Sequence, residues 1–330
     1  MADVTVLGAG AWGTALALVL ARNGHAVKLA VRRESHRMAL REERENRAYL
    51  PNVQFPPQLQ LAEIDTECVR GAEAVVMAIP SRFARETFAP LARSIPRQVL
   101  MISVSKGIET DSLLTMSQML AELAPPLDRI AVLSGPGFAP EVARGKPAAL
   151  VTAAHSQAVA GRAQTLFAAK PLRVYRSLDV AGVELGGASK NVIALAAGIS
   201  DGLALGAGAR AALITRGLAE MMRMVNAVGG QRQTLAGLAG LGDLVLTSTG
   251  DLSRNRRVGL AIGRSEPVAP PATGAPVAEG VTNARAIVAL ARRCGVDMPI
   301  SSAVYRILYE GAAPGAMVEE LLGRELKAEF

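Results

Sequence analysis

The chain opens on an apolar run at 4–20 that three glycines interrupt, at Gly8, Gly10 and Gly13. A second apolar run follows at 26–31. Apolar runs of these lengths, separated by glycine turns, are typical of a strand, a helix and a second strand. The pattern therefore predicts a βαβ unit of about 30 residues at the start of the chain.

Each glycine of the first turn permits something that a side chain prevents. Gly8 allows a tight turn out of the strand, Gly10 lets the backbone approach a pyrophosphate, and Gly13 lets the helix pack closely on the sheet. The pyrophosphate then lies on the free N–H groups at the positive end of the helix. Because a strand, a helix and a second strand surround the turn, the motif predicts dinucleotide binding rather than an ordinary glycine-rich loop.

Further apolar runs alternate with helical patterns through the first half of the chain. The strands that they predict lie at 74–79, 99–104, 130–133, 148–152 and 172–175. Continuous apolar runs are typical of strands that are buried on both faces of a parallel sheet. The segment with Pro51, Pro56 and Pro57 is predicted to be a loop. The fold class that follows is α/β, with a doubly wound Rossmann-type sheet.

From about residue 178 the strand signals stop and helical spacing takes over. Residues 180–205 read as one long helix, and further helices are predicted at 209–228, 255–263, 281–294, 299–310 and 316–325. We therefore expect a dinucleotide-binding domain at 1–178 and an all-α substrate-binding and catalytic domain at 179–330. The cleft between two such domains is the usual place for a substrate.

Composition and charge exclude several classes of protein. Cys68 and Cys294 fit neither a disulfide framework nor a metal cluster, so we expect no metal and a cytoplasmic location. The apolar run at the start of the chain is predicted to be neither a signal peptide nor a membrane span. Asp3 occupies a position that is basic in signal peptides, and glycines interrupt the run that follows. The net charge of +7 is dispersed and aromatic residues are 3%, which disfavours nucleic acid and favours phosphorylated small molecules.

The end of the second strand carries Arg32 and Arg33, with Glu34 one step later. Folds that select NAD place an acidic residue there, which accepts hydrogen bonds from the ribose 2′-hydroxyl. Two guanidinium groups suit a 2′-phosphate instead. The sequence predicts a preference for NADPH, with NADH also possible; the alternative is that the arginines are only surface charge.

Two segments follow predicted strands at the edge where open α/β sheets bind ligands. Lys106 comes directly after the strand at 99–104, and the turn Gly135-Pro136-Gly137 comes after the strand at 130–133. Such a stiff turn can present backbone N–H groups to an anion. Ordinary surface loops are the alternative for both segments.

Lys190 is the most informative residue of the long helix, because it stands among small and apolar residues. Glu184 is six residues away, which on a helix is the wrong spacing for an ion pair. Burial lowers the pKa of such a lysine toward a range that is useful for proton transfer. Asp243, which glycines and apolar residues flank, is the candidate partner that orients it. The alternative is a lysine that reaches solvent from an amphipathic helix.

The segment Ser253-Arg254-Asn255 stands at the predicted start of a helix. A hydroxyl, a guanidinium and an amide at a helix N-terminus are a candidate phosphate site. An ordinary capped helix with surface arginines is the alternative.

Seven motifs in chain order resemble NAD(P)-dependent glycerol-3-phosphate dehydrogenases of the bacterial type. They lie at 8–17, 105–109, 134–136, 190–192, 198–202, 240–243 and 253–255. The resemblance spans the whole chain and implies reversible hydride transfer between NAD(P)H and dihydroxyacetone phosphate. The implied product is sn-glycerol 3-phosphate, which supplies phospholipid synthesis.

The resemblance also implies roles for individual residues. Lys190 is the implied proton donor to the ketone, and Lys106 is implied to lie beside substrate and nicotinamide. The implied substrate-binding residues are Lys106, Gly135, Gly137, Lys190, Asp243, Ser253, Arg254 and Asn255. The candidate cofactor-binding residues are Gly8, Gly10, Ala11, Trp12, Gly13, Arg32, Arg33, Lys106, Ala139, Arg254, Val277 and Glu279. Gly137 is a departure, because the family usually has Ser or Thr there.

Two other functions stay open at this point. One is a related β-hydroxyacid dehydrogenase that acts on a carboxylate, and the other is a non-catalytic sensor that binds NADPH. Substrate screening separates the two enzymes. The expected partner is the small-molecule substrate, a homodimer is possible, and no nucleic-acid partner is expected.

Overall fold

The computed structural model describes residues 1–124, 127–267, 278–326 and 328–329. Within these residues the chain forms a large sheet with helices, a two-stranded sheet, and a group of helices that follows them. The strands are β1 (Asp3–Leu7), β2 (Ala26–Val31), β3 (Glu45–Asn46), β4 (Leu50–Gln54), β5 (Leu59–Glu63), β6 (Ala74–Met77), β7 (Leu100–Ser103), β8 (Ile130–Ser134), β9 (Ala148–Ala154) and β10 (Leu172–Ser177). The α-helices are α1 (Ala11–Arg22), α2 (Glu34–Glu43), α3 (Ser81–Ala92), α4 (Met116–Leu123), α5 (Ala139–Ala143), α6 (Gln157–Phe167), α7 (Val180–Gly202), α8 (Gly206–Ala227), α9 (Arg232–Leu235), α10 (Asp243–Thr249), α11 (Arg254–Gly263), α12 (Glu279–Cys294), α13 (Pro299–Tyr309) and α14 (Pro314–Leu322).

The large sheet has the strand order β10-β9-β8-β7-β6-β1-β2-β5. The strands from β5 to β8 are mutually parallel, and the chain changes direction across the sheet between β1 and β6. A change of this kind opens a crevice at the carboxyl ends of the two strands. The predicted fold class, a doubly wound α/β sheet followed by helices, is confirmed.

The sheet is not parallel throughout, which corrects the expectation for its last strands. Strand β9 runs antiparallel to β8, and β10 runs parallel to β9. The connection from β8 to β9 contains only the five-residue helix α5, which packs on α1. Because no long helix crosses the sheet at this point, the chain returns in the opposite direction.

The segment with Pro51, Pro56 and Pro57 is more ordered than the predicted loop. Strand β4, which contains Pro51, pairs antiparallel with β3, and β5 joins the large sheet beside β2. Pro51 lacks an N–H donor, but among the described strands β4 pairs only with β3, so its other edge is free and tolerates the proline. The prediction of a loop was therefore wrong for β4, which contains Pro51, and is confirmed for Pro56 and Pro57, which lie between β4 and β5 outside any strand.

Helix α7 is the central helix of the chain after the sheet. Nearly all its side chains are buried, and α8, α10, α11, α12 and α13 pack on it. Although α7 is long and rich in apolar residues, no helix in the described ranges has the length and hydropathy of a membrane span. Helices α7 and α11 cross at very close range. A Cβ added to Gly198 of α7 would lie 2.1 Å from the Arg256 carbonyl oxygen, and a Cβ added to Gly259 of α11 would lie 2.1 Å from the Leu195 carbonyl oxygen.

Replacement of Gly259 by alanine should destabilise the protein. The new methyl group would collide with the Leu195 carbonyl, so the two helices would have to separate. Overpacking of this kind costs about 1–3 kcal/mol in the free energy of unfolding. Gly208 on α8 has open space around its Cβ position, so Gly208→Ala is the matched control and should be neutral or slightly stabilising. Urea unfolding compares the two variants, and equal stabilities would contradict this account of the crossing.

Candidate active site

The glycine turn forms part of the wall of a cleft of about 660 Å³. Gly8 has a φ of +107°, and a Cβ there would lie 2.7 Å from the Ala78 carbonyl oxygen. At Gly10 the position of a Cβ is open, with no atom beyond the chain neighbours within 4 Å. Helix α1 begins directly after Gly10, and no side chain caps its N–H groups. This open cradle at a helix N-terminus fits a dinucleotide pyrophosphate.

Three arginines line the cleft where β2 and β6 end, and we call this part of it the arginine end. The guanidinium groups of Arg32 and Arg82 lie 5.5 and 4.4 Å from the centre of the Phe83 ring. Arg33 Nη2 donates a hydrogen bond to the Tyr49 hydroxyl at 2.8 Å. Guanidinium groups beside an aromatic ring suit a planar ligand that carries a phosphate.

Lys106, Lys190 and Asp243 come together from three separate segments. Lys190 Nζ on α7 donates to Asp243 Oδ1 at 3.0 Å, and Lys106 Nζ donates to Asp243 Oδ2 at 2.6 Å. Lys190 also donates to Thr247 Oγ1 at 2.6 Å, and Lys106 donates to the Gly135 carbonyl at 2.9 Å. Since an ammonium group has three hydrogens, each lysine keeps one N–H without an acceptor in the described part of the chain.

Burial and neighbouring charges control the ionisation of this cluster. Burial lowers the pKa of Lys190 to about 8, although Asp243 opposes this change. Burial alone raises the pKa of the Asp243 carboxyl, but Lys106 and Lys190 outweigh that effect and hold the pKa below its usual value. The cluster is therefore a carboxylate shared by two lysines, one of which releases its proton close to neutral pH.

A π-helical turn at Leu238–Gly242 places Asp243 at the start of α10. The turn packs directly on α7 at Gly186. A Cβ added to this glycine would lie only 2.7 Å from the Ala239 carbonyl oxygen, so a larger residue would push the turn away. One helical turn after Asp243, the Thr247 hydroxyl donates back to Asp243 Oδ1 at 3.2 Å. Turns of this rare type are frequent at functional sites.

Helix α11 begins in the wall of the same cleft. The Ser253 hydroxyl caps it by accepting a hydrogen bond from the Arg256 N–H at 3.2 Å. Arg256 in turn donates through Nε and Nη2 to Asp201 Oδ2 on α7, at 3.0 and 2.7 Å. The first turn of α11 is thus held against α7 by both side chains and backbone.

The predicted residues around this turn have different surroundings. Asn255 is engaged within the protein, because its amide donates to Asn191 Oδ1 at 2.8 Å and its Oδ1 accepts from the Gly280 N–H at 2.9 Å. Burial lowers the pKa of Arg254 and raises that of Glu279, and each residue's charge opposes the effect of burial on the other. Arg254 therefore offers a partly desolvated charge in the cleft wall.

Most residues predicted from the sequence line this cleft. They are Gly8, Gly10, Ala11, Trp12, Gly13, Arg32, Arg33, Lys106, Gly137, Ala139, Lys190, Asp243, Ser253, Arg254, Asn255 and Glu279. Gly135 touches the site through its carbonyl bond to Lys106, and Val277 lies outside the described residues. An added Cβ at Gly137 would lie 3.3 Å from the Trp12 ring, so a larger side chain there would press on that ring.

Sequence reasoning missed several residues of the site. Thr247 stands four residues after Asp243, so helical spacing could have found it. Asn283 gave no such signal, although its Nδ2 donates to the Lys106 carbonyl at 2.8 Å and so holds the backbone of that lysine. His36, Tyr49 and Arg82 also line the cleft, and nothing in the sequence pattern linked them to the arginines at 32 and 33.

A glycine cradle and a buried lysine–carboxylate cluster in one cleft define the class as a nucleotide-dependent dehydrogenase. Profiles of the N-terminus and C-terminus of NAD-dependent glycerol-3-phosphate dehydrogenase match residues 3–160 and 179–319. The chain therefore belongs to the NAD-dependent glycerol-3-phosphate dehydrogenase family, which confirms the resemblance.

Individual relatives agree with this assignment over the full length. The chain is 50% identical over 330 residues to glycerol-3-phosphate dehydrogenase (NAD(P)+) of Thioalkalivibrio sulfidiphilus. The aligned region covers 99% of this chain and 98% of the relative. It is 47% identical over 329 residues to the enzyme of that name from Citrifermentans bemidjiense, with the same coverages of 99% and 98%. The crystal structure of glycerol-3-phosphate dehydrogenase from Coxiella burnetii superposes with a TM-score of 0.91 at 39% identity, over 98% of this chain and 99% of that one.

Replacement of Asp243 by asparagine should destabilise the protein by about 3 kcal/mol below pH 7, because two lysines lose a buried counter-charge. The loss should shrink as the pH rises toward 9. A buried lysine without its partner has a lowered pKa, so its cost is present while the lysine is charged and fades once the proton leaves. Urea unfolding at several pH values measures this.

Asp251→Asn is the matched control for this substitution. Asp251 pairs with Arg256, but its side chain is 96% exposed, so the substitution should change stability by less than about 1 kcal/mol at every pH. A loss in Asp243→Asn that is small or independent of pH would show that the cluster is not held by charge.

Proposed function

We propose that this protein catalyses the reversible reduction of dihydroxyacetone phosphate to sn-glycerol 3-phosphate with a nicotinamide nucleotide. The observation that carries the proposal is the cluster of Lys190, Asp243 and Lys106, in which each lysine retains an N–H in the same cleft as the glycine cradle. The relatives of known name are glycerol-3-phosphate dehydrogenases, which supports the choice of substrate.

The proposed role of Lys190 is to give a proton to the ketone oxygen. The bound nucleotide supplies the hydride, and negative charge develops on this oxygen as the carbonyl carbon is reduced. The remaining N–H of Lys190 stabilises that charge and then transfers its proton, which is worth roughly 10²–10⁴-fold in rate. In the reverse direction the neutral amine accepts the hydroxyl proton. Asp243 and Thr247 hold the amine in one orientation.

The proposed phosphate site is the first turn of α11. Arg254 supplies a charge in the cleft wall, and the N–H groups and dipole of the helix add to it. Lys106, beside both Asp243 and the Gly135 carbonyl, has an N–H left for a second substrate oxygen. Binding of the phosphate, away from the reacting carbon, positions the ketone for reaction.

The preferred nucleotide in this proposal is NADPH, with NADH as a slower substrate. Arg32 and Arg33 are exposed at the arginine end, where a 2′-phosphate would meet two guanidinium groups. We further propose that residues 1–178 bind the nucleotide and residues 179–330 bind the substrate, and that the product supplies phospholipid synthesis. A cytoplasmic location and a homodimer stay predictions of the sequence.

The direct test is a steady-state assay that follows the absorbance of the reduced nucleotide. Dihydroxyacetone phosphate should be reduced with NADPH, and more slowly with NADH. Reduction of 3-oxoacids instead would identify the β-hydroxyacid dehydrogenase alternative. Tight nucleotide binding with no turnover of either substrate class would identify a sensor.

Lys190→Ala should lower kcat at least about a hundredfold while the Kd for NADPH stays within about twofold, because the lysine acts on the ketone. In the intact protein, ketone reduction should fall as the pH rises above about 8, where Lys190 loses its proton, and alcohol oxidation should rise through the same range. Lys170→Ala, at an exposed lysine outside the cleft lining, is the control and should match the wild type. Unchanged turnover in Lys190→Ala would remove this lysine from the mechanism.

The double substitution Arg32→Ser and Arg33→Ser should raise the KM for NADPH about ten- to a hundredfold. Solvent screens these two exposed charges, so together they contribute about 1.5–3 kcal/mol, and the KM for NADH should barely change because NADH lacks the 2′-phosphate. Arg41→Ser, at an exposed residue of α2 outside the cleft lining, is the control. A parallel rise for both nucleotides would mean that the two arginines bind a part that the nucleotides share.

A further inference from the structure

A histidine of helix α2, His36, lies beside the arginines in the wall of the cleft. Its ring centre is 5.2 Å from that of Tyr49, whose hydroxyl accepts the hydrogen bond from Arg33. His36, Tyr49 and Arg33 are therefore a connected set at the arginine end.

Asn46 determines which nitrogen of the His36 ring carries the hydrogen. This fully buried amide donates through Nδ2 to the Ala9 carbonyl at 3.0 Å and to Thr14 Oγ1 at 2.7 Å. Since a carbonyl only accepts, Nδ2 must face Ala9, and the amide oxygen must face His36 Nε2, which is 3.1 Å away. The neutral ring thus carries its hydrogen on Nε2, and its free lone pair is on Nδ1.

The same contacts tie the ring to the glycine turn. Asn46 joins His36 on α2 to Ala9, which stands between Gly8 and Gly10. The ring is therefore held in place at the start of the nucleotide cleft, and a proton that arrives adds at Nδ1.

The charges around His36 are mostly positive. Burial lowers the pKa of His36, the Asn46 hydrogen bond opposes this, and the charge of Arg33, which stands just before α2, adds a smaller lowering. Arg37 is paired with Glu63 on β5, and Glu34 is exposed to solvent. The ring is accordingly neutral at pH 7 before a ligand binds.

Carboxylates do not offset these charges at this end of the cleft. Among the described lining residues the acids are Asp243, which the two lysines share, and Glu279, which faces Arg254 and Lys190. The arginine end and its histidine therefore present a net positive charge, which favours an anionic ligand.

We propose that His36 takes up a proton when the 2′-phosphate of NADPH binds, so that the preference for NADPH over NADH increases as the pH falls from about 8 to about 6.5. This inference rests on the proposed NADPH preference and deepens it. A phosphate dianion beside the ring favours the imidazolium form, whereas NADH brings no such charge. The 2′-phosphate itself takes a proton near pH ~6, which limits the effect at lower pH.

The test uses two nucleotide fragments that differ by the phosphate alone, 2′-phospho-ADP-ribose and ADP-ribose. Calorimetric titration at pH about 6.5 and 8, in buffers of different ionisation enthalpy, gives both the Kd and the number of protons taken up. The wild type should bind 2′-phospho-ADP-ribose about three- to fourfold more tightly at the lower pH, with net proton uptake, because a pKa rise of one unit gives its full effect only well below both pKa values. ADP-ribose should show neither effect.

His36→Gln should abolish the proton uptake and flatten the pH dependence, because a glutamine amide can donate to Asn46 but does not titrate. His155→Gln, at an exposed histidine outside the cleft lining, should behave as the wild type. An NMR titration of the three histidine rings of the wild type gives the same answer without a substitution. One ring should show a raised pKa with 2′-phospho-ADP-ribose but not with ADP-ribose.

The outcomes separate this inference from the proposal on which it rests. Equal proton uptake in His36→Gln and the wild type, together with tighter binding of the phosphorylated fragment, overturns the role of His36 and leaves the NADPH preference standing. Equal affinity of the wild type for both fragments at both pH values overturns the NADPH preference itself. A phosphate-dependent rise in a ring pKa that His36→Gln removes supports the inference.

Discussion

The shared carboxylate of Asp243 is the constraint on which the site depends. Its two oxygens bind Lys106, which follows a strand of the sheet, and Lys190, which lies on the central helix. A lysine buried as deeply as Lys190 is costly when its charge has no partner, and removal of one member of such a set leaves an uncompensated charge. The cluster therefore forms only when sheet and helices are assembled together. The proposed catalytic group is therefore complete only in the folded protein.

Small residues make that assembly possible, because they let backbones approach where side chains would prevent it. Gly186 lets the π-helical turn before Asp243 approach α7, and Gly198 and Gly259 let α11 approach it, so that the first turn of α11 lines the cleft. The distances of 2.6–3.0 Å between the lysine Nζ atoms and the Asp243 oxygens thus depend on helix crossings that tolerate almost no added volume.

Periodicity was enough to predict the parts of the structure that depend on local pattern. The glycine turn, most strands and the long helix α7 were predictable because burial leaves runs of apolar residues whose lengths and glycine breaks indicate the type of element. Lys190 stood out because an isolated charge in an apolar helix needs an explanation. Strand β4 was not predictable because Pro51 masks its pattern, and β5 is a short run of five residues. The reversal at β9 depends on how α5 packs. Contacts such as Asn283 to Lys106 join segments far apart in the chain, and a single sequence gives no measure of such pairs.

The two ends of the cleft differ in how firmly they are built into the protein. Arg32 and Arg33 are exposed, so their charges are screened by solvent and contribute little to stability. Lys190 and Asp243 are almost completely buried, and their interactions are coupled to the packing of α7. On the proposed function, substitutions at the arginine end would change nucleotide preference without disturbing the core, whereas substitutions in the lysine cluster would affect folding and turnover together. The difference in burial would thus separate the proposed choice of cofactor from the proposed reaction, although the residues of both line one continuous cleft.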